Sequence, residues 1–142
     1  MTGLPAAVTQ LIAAGRIERV PRDLATARLR LHRAEEKLAV ANTLATIDVE
    51  VAYVTAYDAA RVALTAHMLA AGLRVPARPR AHETVGMYGE AAISTSGVRE
   101  FQRMRRRRNK AEYDDIVLGL ADLLHAADIL KEVSADIARS TT

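Results

Sequence analysis

Apolar residues recur along this chain at alternating spacings of three and four. The longest stripe, Leu24, Ala27, Leu31, Ala34, Leu38 and Ala41, draws one continuous apolar face down a helix of about six turns. The opposite face carries Arg30, Arg33, Glu36 and Lys37 and is solvated. Pro21, suited to a first helical turn, marks the start of this helix. A shorter amphipathic segment precedes it from Leu4 to Ile17 and ends near Gly15. Further on, Asp48 is placed to cap a helix through Tyr53, Tyr57, Ala60, Leu64 and Met68, and Gly72 suits a left-handed stop.

Pro76 and Pro79, set among arginines between Arg74 and Arg80, cannot continue a helix and predict a loop. A weaker helix follows from Glu83 to Ile93, because Gly86 and Gly89 each lower helicity by roughly 1 kcal/mol relative to alanine. Ser94 to Gly97 breaks the chain before a helix over Val98 to Lys110. After Glu112, Asp114 and Asp115, whose charge suits a helix N-terminus, a last helix carries Ile116, Leu120, Leu123, Ala127, Leu130 and Ile137 on one face, interrupted at Ser134. No stretch alternates with period two over a strand's length. The pattern predicts an all-α fold, an up-and-down antiparallel bundle of four main helices plus short ones, in one domain over residues 1–142.

Composition narrows the chemistry. A chain of 142 residues can bury one core of several helices, and with few aromatics its packing rests on Leu, Val, Ile and Ala. The absence of cysteine excludes disulfides, thiolate metal sites and a cysteine nucleophile. No apolar run reaches the ~18 uncharged residues that span a bilayer, and no basic start precedes an apolar run at the N-terminus. The expectation is a cytoplasmic protein with no membrane contact. His32, His67, His82 and His125 lack the spacing of a helical metal pair. They are expected at the surface or satisfied in the core, and no metal or cofactor is expected. Glycine-rich phosphate loops, Gly-x-Ser-x-Gly elbows and paired carboxylates are absent. Met68 and Met104 fit ordinary core packing.

The net charge of +3 is too small to imply a nucleic-acid partner, but its distribution is uneven. Arg105 to Arg108 form an unbroken run, and arginine's planar fork suits phosphate. On a helix, Phe101, Met104, Arg105 and Arg108 share one face, so two guanidiniums continue an apolar stripe. Arg103, Arg106, Arg107 and Lys110 point elsewhere as a solvated basic face, which also complements the C-terminal end of the helix dipole. An inward arginine needs an anion, a carbonyl or a water-filled cleft. Asp58 is one candidate partner for Arg108, in a structural salt bridge.

Arg108-Asn109-Lys110-Ala111-Glu112-Tyr113 resembles the motif of the HEPN superfamily, an arginine often followed by asparagine, then a histidine after four intervening residues. A second stretch, Tyr57-Asp58-Ala59-Ala60-Arg61-Val62-Ala63-Leu64 through Gly72 to His82, is similar to the tyrosine- and alanine-rich helix, glycine stop and following histidine of small bacterial HEPN proteins. The resemblance covers roughly residues 45–130. It implies a bundle that pairs as a homodimer, metal-independent RNA cleavage at the dimer cleft, and a small nucleotidyltransferase antitoxin as partner of a toxin-type component.

By the same resemblance Arg108 and Asn109 contact phosphate, with Tyr113 at the catalytic position orienting substrate or receiving nucleotidyl groups. Arg105, Arg106, Arg107 and Lys110 line RNA, while Asp58 and His82 support the cleft. The motif histidine is missing. Tyr113 stands in its place, and if Tyr113 is instead the family's trailing tyrosine, Arg106 becomes the motif arginine and Ala111 fills the histidine slot. Tyrosine, with an ordinary pKa near 10, is a poor base at neutral pH. Three readings follow: a HEPN ribonuclease-like protein, a non-catalytic HEPN module that binds a nucleotidyltransferase, or a plain RNA-binding helical protein.

Overall fold

Two aspartates set where the long helices of the N-terminal half begin. The Asp23 carboxylate accepts from the Thr26 amide at 3.0 Å, and that of Asp48 accepts from the amides of Glu50 and Val51. Each satisfies amides that a helix leaves open at its first turn. The computed structural model describes residues 3–93, 96–113 and 120–140. Among them are six helices and one pair of two-residue strands. In chain order these are α1 (Ala6–Ala13), β1 (Glu18–Arg19), α2 (Leu24–Leu44), α3 (Val49–Ala70), β2 (Leu73–Arg74), α4 (Ala81–Ala92), α5 (Ser96–Tyr113) and α6 (Leu120–Ser140).

The all-α class predicted from periodicity holds, with one addition. β1 and β2 pair antiparallel, Glu18 opposite Arg74 and Arg19 opposite Leu73, and two residues are too few to show a period of two. α2 begins at Leu24, later than Pro21, because the Asp23 cap fixes its first turn. α3 ends as expected: Gly72 follows it at φ +78°, a conformation glycine adopts without steric penalty.

α3 packs against α2, α4, α5 and α6. Its Ala52, Ala56, Ala59, Ala60, Ala63 and Ala66 are fully buried, and small side chains let those neighbours approach closely. Tyr53, Tyr57 and Leu64 of α3 meet Phe101 and Met104 of α5 and Ile129 and Val133 of α6 in the main core. A second cluster, with Val8, Leu11, Ile17, Met68, Leu73 and Tyr88, seats α1 and the strands against the far end of α3 and α4.

Three further boundaries and one face differ from the sequence expectation. α4 starts at Ala81, where Arg80 turns the chain at φ +68°. α5 starts at Ser96, because Glu132 on α6 reaches across to accept from the amides of Gly97 and Val98. α5 also runs on to Tyr113, past Lys110. On α6, Ala127 is exposed while Ala126, Ile129 and Val133 join Leu123, Leu130 and Ile137 in the core. The buried stripe therefore passes beside Ser134 without interruption. Ser94, Thr95 and the segment with Asp114, Asp115 and Ile116 lie outside the described residues. No helix among the described residues is long and apolar enough to cross a membrane.

Gly86 and Gly89, read from sequence as weak points of α4, mark its closest approaches. A methyl group on Gly86 would lie 2.4 Å from the Gln102 side chain, and one on Gly89 would lie 2.9 Å from Val98. α4 therefore gives up some intrinsic helicity so that α5 can pack against its backbone.

A basic cleft between the fourth and fifth helices

The cleft is built outward from Tyr57. Its ring is fully buried and stacks on Phe101, with centroids 5.1 Å apart. The hydroxyl is a polar group in an apolar surrounding and needs a partner. It finds one in His82, whose Nδ1 lies 3.1 Å away. Above the ring sits the Arg108 guanidinium, its central carbon 5.3 Å from the Tyr57 centroid, within cation–π range. A second tyrosine one turn earlier ties the same helices together, as the Tyr53 hydroxyl donates to the Met104 carbonyl at 2.8 Å.

Arg105, one turn before Arg108, is held by a relay from α4. The Gln102 amide nitrogen donates to the Glu83 carbonyl at 3.0 Å, which leaves the Gln102 side-chain oxygen to accept from Arg105 Nε at 2.8 Å. Gln102 is buried, and it occupies the space left by Gly86. The guanidinium is held by its Nε, and Arg105 lines the cleft.

The cleft has a volume of about 440 Å³, and its polar lining is Arg78, Arg80, His82, Glu83, Arg105 and Asn109. Arg80 pairs with Glu83 at 2.9 Å, and Arg78 donates to the Gly15 carbonyl at 2.7 Å. The latter bond anchors the proline loop to the turn after α1.

Electrostatics fix the protonation states at its base. Burial raises the Tyr57 pKa to about 12 against the opposing pull of Arg108, Arg61 and Arg105, so the phenol keeps its proton at neutral pH. His82 is shifted below its ordinary value, by burial first and then by Arg61 and Arg108, with Asp58 acting the other way and Arg105 adding to the decrease. A half-buried site near guanidiniums disfavours a further positive charge. The imidazole is therefore neutral near pH 7.

The structure brings together Arg105, Asn109 and His82 on one cleft, with Arg108 beside them over Tyr57. Arg106 is exposed, as a solvated face requires, but Arg107 is half-buried, because it lies next to Arg108 on a helix whose inward face is wider than the stripe predicted. Asp58 forms its salt bridge with Arg61, at 3.4 Å on the same helix. Lys110 and Tyr113 belong to the last turns of α5, and their side chains lie outside the described part of the structure. Periodicity gave no sign of Gln102, Arg78 or Arg80 as cleft residues. The available signal was a buried-side polar residue next to Phe101 facing a glycine, which only a tertiary pairing of α4 and α5 makes meaningful.

Of the other histidines, His125 is half-buried. His32 is exposed beside Glu35 and Glu36. His67 bridges Tyr88, at 2.7 Å, and Asp136. Among the described residues no group of three or more His, Asp or Glu side chains could hold a metal ion. What the cleft offers chemically is a guanidinium, an amide and a neutral imidazole on one wall, a set that can hold a phosphate and move a proton. No family model, curated protein or solved structure matches the chain.

Proposed function

We propose that the chain is a HEPN-like domain that binds RNA along the Arg105, Arg108 and Asn109 face of α5 and cuts the strand without a metal ion. The observation that carries this reading is the meeting of Arg105 and Asn109 with His82 in one basic cleft. His82, from outside the arginine segment, takes in this reading the part of the missing motif histidine. In this reading α2, α3, α5 and α6 form the up-and-down bundle of the superfamily. Two copies pair so that their arginine faces share a groove, Arg106, Arg107 and Lys110 follow the phosphate backbone, and Tyr113 lies at the groove's edge. The protein acts in the cytoplasm as the toxin-type component beside a small nucleotidyltransferase antitoxin.

The test is RNA binding and cleavage by the purified chain, with Arg105→Ala and Arg108→Ala as controls. The reading predicts cleavage of single-stranded RNA in the presence of a chelator, salt-sensitive binding, and loss of both in the double variant. RNA left unbound by the wild-type chain at low salt would end it.

The replacement of the motif histidine by Tyr113 favours a second reading, a non-catalytic HEPN module that holds a nucleotidyltransferase. It predicts a stable hetero-complex and no cleavage at any pH.

A further inference from the structure

We propose that His82 is the general base of this cleft, taking a proton from an RNA ribose 2′-hydroxyl through Nε2, and that Tyr57 positions the ring through Nδ1. The proposal rests on the RNA-cleavage reading above and names the group that does its proton chemistry.

Geometry comes first. His82 lines the same cleft as Arg105 and Asn109, and its Nδ1 is engaged by the Tyr57 hydroxyl at 3.1 Å. Nε2 is the nitrogen left to meet a ligand. A hydroxyl both donates and accepts, so Tyr57 can serve either tautomer of the ring. When Nδ1–H donates to the tyrosine oxygen, Nε2 carries the lone pair a base needs. The Tyr57 ring cannot drift from this role, being buried, stacked on Phe101 and covered by Arg108.

The charged groups facing His82 come from three directions. Arg61 and Asp58 face it from α3, Arg105 and Arg108 from α5, and Glu83 is tied to Arg80 at the start of α4. Cations dominate, which favours the neutral, proton-accepting imidazole. The same cations suit the substrate, because a phosphorane gains negative charge as it forms.

The reaction balances without a further reagent. Nε2 takes the 2′-hydroxyl proton, and the 2′-oxygen forms a bond to the adjacent phosphorus. The bond from phosphorus to the 5′-oxygen breaks, and that oxygen leaves with the electron pair and takes a proton from water. The imidazolium then returns its proton to solvent. The products are a 2′,3′-cyclic phosphate and a 5′-hydroxyl, and net charge is conserved. A cleft of about 440 Å³ falls in the range of roughly 300–1,000 Å³ that accepts a small organic ligand, enough for one nucleotide of a single strand.

The experiment uses the full chain and a single-stranded RNA oligonucleotide, together with a copy carrying one 2′-deoxyribose at the cut position. His82→Gln is expected to lower kcat by about 100-fold or more while RNA affinity is held, whereas Arg105→Ala weakens affinity. Tyr57→Phe is expected to lower kcat with KM unchanged and to shift the ring ¹⁵N signals of His82 toward the other tautomer. The wild-type pH profile should rise through a midpoint below 6.5 that coincides with the His82 titration followed by ¹⁵N NMR, a measurement that depends on no variant. The deoxy copy should resist cleavage. Wild-type rates in His82→Gln, a mismatch between the two midpoints, or cutting of the deoxy copy would overturn the assignment. Tight RNA binding by the wild-type chain with no cleavage would also overturn it while leaving RNA binding in place.

Discussion

The Tyr57 hydroxyl and the His82 ring nitrogen Nδ1 lie 3.1 Å apart across 25 residues of sequence. That bond joins α3 to the first turn of α4, and the burial of the imidazole, with Arg61 and Arg108 near it, makes the cleft sensitive to acid. The His82 pKa is lower in the folded chain than its ordinary value of 6.5, so the unfolded chain binds the proton more readily. Stability is then fully present above about 6.5 and falls as pH drops through the lower folded value. Urea titrations from pH 7.5 to 5 should show a steeper decline for the wild-type chain than for His82→Gln. Parallel curves would mean that the site does not resist protonation.

Gly86 provides a test of packing against propensity. Alanine is the better helix former by about 1 kcal/mol, yet its methyl would meet Gln102 at 2.4 Å. Gly86→Ala should therefore destabilise the fold by about 1–3 kcal/mol, with part of the loss recovered in a Gly86→Ala, Gln102→Ala double variant. A rise in denaturation midpoint for the single variant would show that the gap between α4 and α5 is slack.

Much of the helix layout can be read locally. Asp48 and Gly72 bracket α3 because capping and left-handed stops are decided within a few residues. The stripe of α2 is equally local, and Ala27, Leu31, Ala34 and Ala41 are all buried. The start of α5 is different. It depends on Glu132, and nothing near Ser96 in sequence announces a carboxylate on another helix. For the cleft, the arginine face of α5 was legible as a shared stripe of Arg105 and Arg108. The resemblance pointed to His82 as a support of the cleft, whereas its bond to Tyr57 was not legible, since that arises only when α4 folds back over α3 and α5. Asp58 shows the same limit, its pairing with Arg61 being one of several arrangements that helical spacing allows.

Glu132 yields a local prediction. Its carboxylate accepts from Gly97 at 3.2 Å and from Val98 at 2.9 Å, as an N-terminal cap does, but from a neighbouring helix. Glu132→Ala should lower stability by about 1–2 kcal/mol and speed hydrogen exchange at the Gly97 and Val98 amides. Unchanged exchange at both amides would refute the cap.

Gln102 can be separated from charge. Replacing it with alanine leaves net charge intact but frees Arg105 from the bond at 2.8 Å. If α5 binds RNA as proposed, affinity should fall while the slope of log affinity against log salt stays near that of the wild-type chain, because the number of cations meeting phosphate is unchanged. A loss of slope equal to that of Arg105→Ala would mean that Gln102 does not merely orient its neighbour.

On α6, burial raises the Asp136 pKa but hydrogen bonds from His67 and Arg139 outweigh it, leaving the carboxyl below its ordinary 3.8. Its contribution is present above that value and disappears as pH falls through the lower folded one. Asp136→Asn should destabilise at pH 7, and its deficit relative to wild type should close in strong acid. A deficit that is constant with pH would point to shape alone.

Tyr53 and Tyr57 turn α3 into a ruler for the whole cleft. One hydroxyl grips the Met104 carbonyl and the other, a turn later, grips His82. A helix advances about 100° per residue, so a single residue inserted between the two tyrosines would swing one of them more than a quarter turn off the face it now shares with the other. Chains of this design can lengthen in their loops, but the interval between those two rings has to keep its length.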